Sequence, residues 1–166
     1  MTVQSSASLQ AGAIAPTLTL GATRRAGPAD VLLVEDDDGD VLMTQVVFEE
    51  RQIADHLHVV GNGETALEFL RRADRYAEAP RPGLILLDLN LPGRGGLEIL
   101  ADIKADPDLA AIPVVILTSS QAPDDIVRAY SLHASAYITK PIDFEHYLET
   151  IRAIGDFFCV LAELPV

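Results

Sequence analysis

The sequence predicts a doubly wound α/β domain built on a five-stranded parallel sheet. Three observations carry this. Short aliphatic runs alternate with helix-length amphipathic stretches from residue 31 onward. The runs are rich in Val, Ile and Leu and are apolar throughout, as strands covered on both faces are. Apolar residues make up 49% of 166 residues and aromatics only 5%, so the core is aliphatic.

The elements follow in order. Val31–Val34 is the first strand, and a helix from about Gly39 to Arg51 follows, with Val41, Leu42, Val46 and Val47 as its inner face. Leu57–Val60 is the second strand, ended by Gly61-Asn62-Gly63. Glu64 to about Tyr76 is the second helix, with Ala66, Leu67 and Leu70 inward, and Pro80 and Pro82 punctuate the return. Leu84–Leu87 is the third strand; the third helix, Gly96 to about Ala105, is stopped by Asp106-Pro107. Val114–Leu117 is the fourth strand, and Pro123 suits the first turn of a helix to Leu132. Ala136–Ile138 is the fifth strand. Asp143 is the N-cap candidate of a last helix running past Ile154. Right-handed crossovers and two-sided covering make a flavodoxin-like order, 2-1-3-4-5, the natural solution.

Residues 1–28 show no sustained period and are expected to form a flexible tail, with Ile14–Leu20 packing locally. Residues 29–155 form the single domain, and 156–166 extend the last helix. The net charge of -13 excludes a basic nucleic-acid or anionic-membrane surface. The single Cys159 excludes an internal disulfide and reads as a packed thiol. No apolar stretch reaches the length of a membrane span, and the N-terminus makes a poor signal peptide, so a cytoplasmic location is expected.

The chemistry lies just after the strands: Glu35-Asp36 after the first, Asp88 after the third, Thr118 after the fourth, Lys140 after the fifth. In an open α/β sheet ligands bind at that edge. Strands one and three are neighbours in the expected order, so Asp36 and Asp88 face each other. Two carboxylates about 4 Å apart repel by roughly 4 kcal/mol at an effective dielectric near 20. Helix capping explains one acid at a helix start but not a third at the next strand end. A hard cation relieves the repulsion, and oxygen donors favour Mg²⁺, with the backbone carbonyl of Asn90 placed to complete the shell. Asp88 is the best nucleophile, Lys140 the cation for a phosphoryl oxygen, and Thr118 a hydroxyl donor, with Ser119 and Ser120 small beside it. Lys140 precedes Pro141, whose peptide bond admits the cis form.

Together, Val34-Glu35-Asp36, Asp88-Leu89-Asn90-Leu91-Pro92, Gly96, Thr118-Ser119, Tyr137 and Lys140-Pro141 resemble the receiver domain of two-component response regulators. The resemblance covers about residues 30–155. It implies that Asp88 is the phosphoacceptor, that Asp36, Asp88 and the Asn90 carbonyl bind Mg²⁺ (Mn²⁺ or Ca²⁺ substituting), and that Glu35 acts through water. It also implies that Thr118, Ser119 and Lys140 contact the phosphoryl group, and that Tyr137 is an aromatic that changes rotamer. The protein is then a phosphoacceptor that promotes its own phosphorylation and dephosphorylation rather than an enzyme on other substrates.

Leu86-Leu87-Asp88, Tyr130-Ser131-Leu132-His133-Ala134 and the aromatic C-terminal segment ending Leu164-Pro165 look closest to single-domain regulators of phytochrome-type histidine kinases, which implies a bacteriophytochrome partner. Gly95 departs from the family, where Asp often precedes the glycine. No DNA-binding module is expected after the last helix, so the signal is expected to pass through protein contacts.

Two alternatives compete. A haloacid-dehalogenase-like phosphatase needs a second Asp two positions after its nucleophile, where this chain has Asn90. A pseudo-receiver that only binds partners would not need the complete acid set. Phe144, Tyr147, Leu148, Ile151, Ile154 and Phe158 form the core stripe of the last helix. Phe157, Val160 and Leu164 fall off that stripe and Leu161 lies at its margin, a pattern expected of a homodimer contact.

Overall fold

In the computed structural model, five parallel strands run β1 Val31–Val34, β2 Leu57–Val60, β3 Leu84–Leu87, β4 Val114–Thr118 and β5 Ala136–Thr139. The sheet order is β2-β1-β3-β4-β5, as the alternation predicts. The helices are α1 Asp38–Glu50, α2 Gly63–Arg71, α3 Gly96–Ala105, α4 Pro123–Ser131 and α5 Phe144–Gly155. The structure describes residues 27–161 and 164. The expected N-terminal tail lies outside these apart from Gly27 and Pro28, as do the side chains of Val160 and Leu161.

Every residue of β1, β3 and β4 is buried. Alternation of side chains along each strand sends them into two cores. Leu32, Val34, Ile85, Leu87 and Ile116 pack under α2, α3 and α4, while Val31, Leu33, Leu86, Val115 and Leu117 pack under α1 and α5. Arg152 on α5 grips Glu50 on α1 through both carboxylate oxygens, and Arg51 pairs with Asp156, fastening the two helices on their outer side. Gly96 opens α3 against β3 so closely that a Cβ there would overlap the Asp88 carbonyl oxygen. Only glycine lets that helix start where it does.

Local details differ from the expectations. The buried residues of α1 are Thr44, Val47 and Phe48; Leu42 points to solvent and Val46 is only half-buried. Val, Leu, Met and Phe occur on several sides of α1, so periodicity alone does not choose the face. Helix α2 stops at Arg71 rather than near Tyr76, because Arg72 takes a left-handed conformation (φ 54°) and its N–H caps Glu68 and Phe69. A separate 3-10 turn spans Asp74–Tyr76. The bond before Pro141 is trans, since no cis peptide occurs among the described residues.

At α5, Asp143 caps the helix as expected, accepting from the His146 N–H at 3.1 Å, but Phe144 faces solvent instead of the core. After Gly155 the helix widens into π turns over Asp156–Leu161. There Phe158 and Cys159 pack against the α1/α5 core, Phe157 stays 56% exposed, and Leu164 is half-buried. Burial, and then the Asp156 charge, push the Cys159 thiol up to about 11.

Candidate phosphoacceptor and metal site

Backbone pairing continues one residue past the strands and fixes the site. The Glu35 N–H donates to the Val60 carbonyl at 3.0 Å, the Asp88 N–H to Val34 at 3.1 Å, and the Lys140 N–H to Thr118 at 2.8 Å. The register sets Val34 opposite Leu87 and Thr118 opposite Thr139. The residues after them therefore lie side by side along the carboxyl edge. A cleft of about 550 Å³ opens above them, lined by the acids from Glu35 to Asp40, Asp88, Asn90, Ser119 and Lys140.

Glu35, Asp36 and Asp88 each bring a carboxylate oxygen within 4.8 Å of the others. Glu35 and Asp88 are buried and Asp36 is exposed, so the cluster opens to solvent on one side. Such a hard, anionic, oxygen-only donor set fits a divalent cation that keeps part of its water shell. Helix capping does not use these acids. Asp37 is the N-cap of α1, accepting from the Asp40 N–H at 2.9 Å, which leaves Asp36 free for the cleft.

Lys140, 7% exposed, lies against the cluster. Its Nζ donates to Glu35 Oε2 at 2.5 Å, Asp40 Oδ2 at 2.7 Å and Asp88 Oδ2 at 2.8 Å. Burial alone would lower its pKa, but the bonds to Asp40, Asp88 and Glu35 outweigh burial and raise it. Burial works against ionisation of Asp88 too. The Lys140 bond and charge, the Asn90 N–H at 3.0 Å and the Thr118 hydroxyl overcome it and hold Asp88 below the usual carboxylate range. Glu35 goes the other way: its burial outweighs Lys140 and the Asp37 N–H, and the Asp88 charge adds to the rise. The surroundings of Asp88 thus favour its ionised form, the state a nucleophile needs.

Thr118 is fully buried, and its Oγ1 accepts from Asn90 Nδ2 at 3.4 Å and the Ser120 N–H at 3.3 Å. Ser119 is exposed on the cleft wall. Tyr137 is half-buried, and its hydroxyl donates to the Ser120 carbonyl at 3.0 Å. The Ser120 hydroxyl in turn donates to Asp125 at 2.6 Å, tying the loop after β4 to the first turn of α4. Glu35, Asp88, Asn90, Thr118 and Lys140 are therefore linked by hydrogen bonds along one edge, Tyr137 joins through Ser120, and Asp36 and Ser119 line the cleft beside them.

One member escapes sequence reasoning. Asp40, in the first turn of α1, is a full partner of Lys140. The only signal was a carboxylate one helical turn after Asp36, which looks like a solvated surface charge.

The comparisons agree with this geometry. The family described as "Response regulator receiver domain" matches residues 31–152. Response regulator Rcp1 of Synechocystis sp. is 41% identical over 138 residues, covering 83% of this chain and 94% of that protein. The crystal structure of the phosphorylated cyanobacterial phytochrome response regulator RcpA superposes with a TM-score of 0.81 at 39% identity, over 84% of this chain and all of that one. The Mn²⁺-bound form of Rcp1 superposes at 0.80 and 40% identity, with the same coverage. The chain belongs to the response regulator receiver domain family.

Proposed function

We propose that this protein takes a phosphoryl group from the phosphohistidine of a sensor histidine kinase onto Asp88. The observation that carries the reading is Asp88 itself: a buried carboxylate at the sheet edge, kept ionised, bonded to Lys140 and sharing the cleft with Glu35 and Asp36. A carboxylate oxygen of Asp88 attacks phosphorus. The new P–O bond forms as the P–N bond breaks, and the donor histidine leaves as imidazole. Lys140 holds one phosphoryl oxygen, and Thr118 and Ser119 donate to others as charge moves onto the group. Asp36, Asp88 and the Asn90 carbonyl would hold Mg²⁺, with Glu35 acting through water and Mn²⁺ or Ca²⁺ able to substitute. When bound, the metal neutralises charge on the incoming phosphoryl oxygens. The acyl phosphate is lost by hydrolysis in the same pocket, so the protein sets the lifetime of its own signal.

The similarity to RcpA, a cyanobacterial phytochrome response regulator, supports a phytochrome-type kinase as the donor. The signal leaves through protein contacts. Thr118 moving toward the phosphoryl group frees space for Tyr137, whose hydroxyl bond to Ser120 is then exchanged. The face beside it exposes Val127 and Tyr130 on α4, Ile142 after β5, and Phe144 on α5. Exposed apolar residues of this kind on an acidic protein suit a homodimer contact, to which the exposed Phe157 is a further candidate; the side chains of Val160 and Leu161, expected to join it, lie outside the described residues. The haloacid-dehalogenase-like reading lacks its general acid, because Asn90 stands in that place. Incubation with acetyl phosphate should phosphorylate the wild type only when Mg²⁺ is present. Asp88→Asn should stay unmodified by mass spectrometry; modification of that variant at the wild-type level contradicts the reading.

A further inference from the structure

We infer that Asp40 is a positioning residue that anchors Lys140 when a metal ion and a phosphoryl group claim its other partners. The inference rests on the phosphoacceptor reading above and adds to it a residue outside the metal cluster. An ammonium has three protons to donate. In this structure all three are used, on Glu35, Asp40 and Asp88, at 2.5, 2.7 and 2.8 Å. Two of those acceptors, Glu35 and Asp88, are also two of the three carboxylates of the candidate metal cluster. Asp40 is not among them. A divalent cation seated on the cluster competes with Lys140 for Glu35 and Asp88 and repels the ammonium directly. Asp40 then remains as the carboxylate that still holds it.

Asp40 is built to stay in place. Its N–H is capped by Asp37 at 2.9 Å, and its carbonyl accepts from the Thr44 hydroxyl at 2.9 Å. Thr44 is fully buried against the core side of α1. Helix α5 covers the same core side of α1, where Tyr147 is buried in one cluster with Val47 and Phe48. Lys140 is thus suspended between a rigid anchor on α1 and a pair of acids whose charge the metal takes over. Without Asp40, the ammonium settles wholly on Glu35 and Asp88 and resists displacement by a cation.

The test compares Asp40→Ala with Asp38→Ala. Both remove one carboxylate from the first turn of α1 and from the cleft wall, but Asp38 makes no bond to Lys140 among those the structure gives. Mn²⁺ binding, read by loss of the free-ion EPR signal, should weaken roughly fivefold more in Asp40→Ala than in Asp38→Ala, the size of coupling expected within one ion-pair network. In a Lys140→Met background the excess should vanish. An equal effect of the two substitutions, or an excess that persists without Lys140, overturns the proposal.

A second readout needs no metal. With ¹⁵N-lysine labelling, the Lys140 ammonium signal should be protected from exchange in the metal-free wild type and in Asp38→Ala, and broaden in Asp40→Ala. A sharp, unshifted signal in Asp40→Ala overturns the anchor. If the wild type binds no Mn²⁺ while the ammonium signal behaves as expected, the metal-dependent reading of the site fails and the role of Asp40 under metal displacement fails with it; only its bond to Lys140 is left.

Discussion

The centre of the sheet and its β5 edge are built on opposite terms. β1, β3 and β4 are buried at every residue, whereas every residue of β5 is half-buried and α4 buries only Ala129. The clustered carboxylates Glu35, Asp36 and Asp88 directly follow the central strands β1 and β3. Lys140, Tyr137 and the exposed apolar residues Val127, Tyr130, Ile142 and Phe144 belong to the edge. The centre makes its polar groups immobile, because close packing holds Asp88 and Glu35 to one geometry. The edge has fewer buried contacts to lose and can change shape at a smaller free-energy cost, as segments that move in signalling do. On the proposed function, holding the phosphoacceptor still and reporting its modification fall to these two different regions.

The sharpest way to break that contrast is to remove equivalent side chains from both regions. Leu86→Ala, in the fully buried centre, should cost about 2–5 kcal/mol in denaturant unfolding. Val127→Ala, on the exposed side of α4, should change stability by less than about 0.5 kcal/mol. Similar losses at the two sites would show that the edge is as tightly built as the centre.

Lys140 joins the two regions, and its removal should come next in size. Lys140→Met leaves Glu35, Asp40 and Asp88 without their shared cation and should destabilise the metal-free protein by about 3 kcal/mol. Added Mg²⁺ should recover part of that loss, since it restores positive charge to the same cluster. A stability unchanged by the substitution would mean that the three bonds contribute nothing net.

A smaller effect should follow phosphorylation itself. Hydrogen exchange after acetyl phosphate treatment should change most over residues 119–142, the loop after β4 through the end of β5, and least in β1 and β3. A uniform response would erase the distinction between a rigid centre and a responsive edge.

The smallest effect concerns the helix that leaves β3. Gly95 caps α3 with no side-chain bond, in an extended conformation (φ -69°, ψ 155°) open to any residue. A Cβ there would sit 3.9 Å from the nearest atom outside its neighbours, the Leu89 carbonyl oxygen. Gly95→Asp should therefore stabilise the domain by only a few tenths of a kcal/mol, measured by thermal unfolding.

The sheet was legible because its evidence is contiguous. Leu84–Leu87 or Val114–Leu117 can only be a strand buried on both faces, and the polar residue after each run marks the carboxyl edge. Glu35, Asp36, Asp88, Thr118 and Lys140 could thus be assembled into one pocket before any coordinates. The helix details were not legible for local reasons. α1 carries apolar residues on more than one side, so Leu42 looked as buried as Val47. Arg72 ends α2 in a left-handed conformation that no glycine announces. The π turns after Gly155 have no sequence signal at all. Asp40 was hidden because a carboxylate in a helix's first turn is ordinary. Only the approach of Lys140 from the far end of the chain distinguishes it.

The phosphorylated carboxylate itself offers the most direct test. After treatment with acetyl phosphate and Mg²⁺, borohydride reduction converts an aspartyl phosphate to homoserine, and peptide mass spectrometry locates the converted residue. The account predicts homoserine at position 88 alone, and none in protein treated without Mg²⁺ or in Asp88→Asn. Homoserine at position 36, or full conversion at position 88 without a divalent cation, would contradict it.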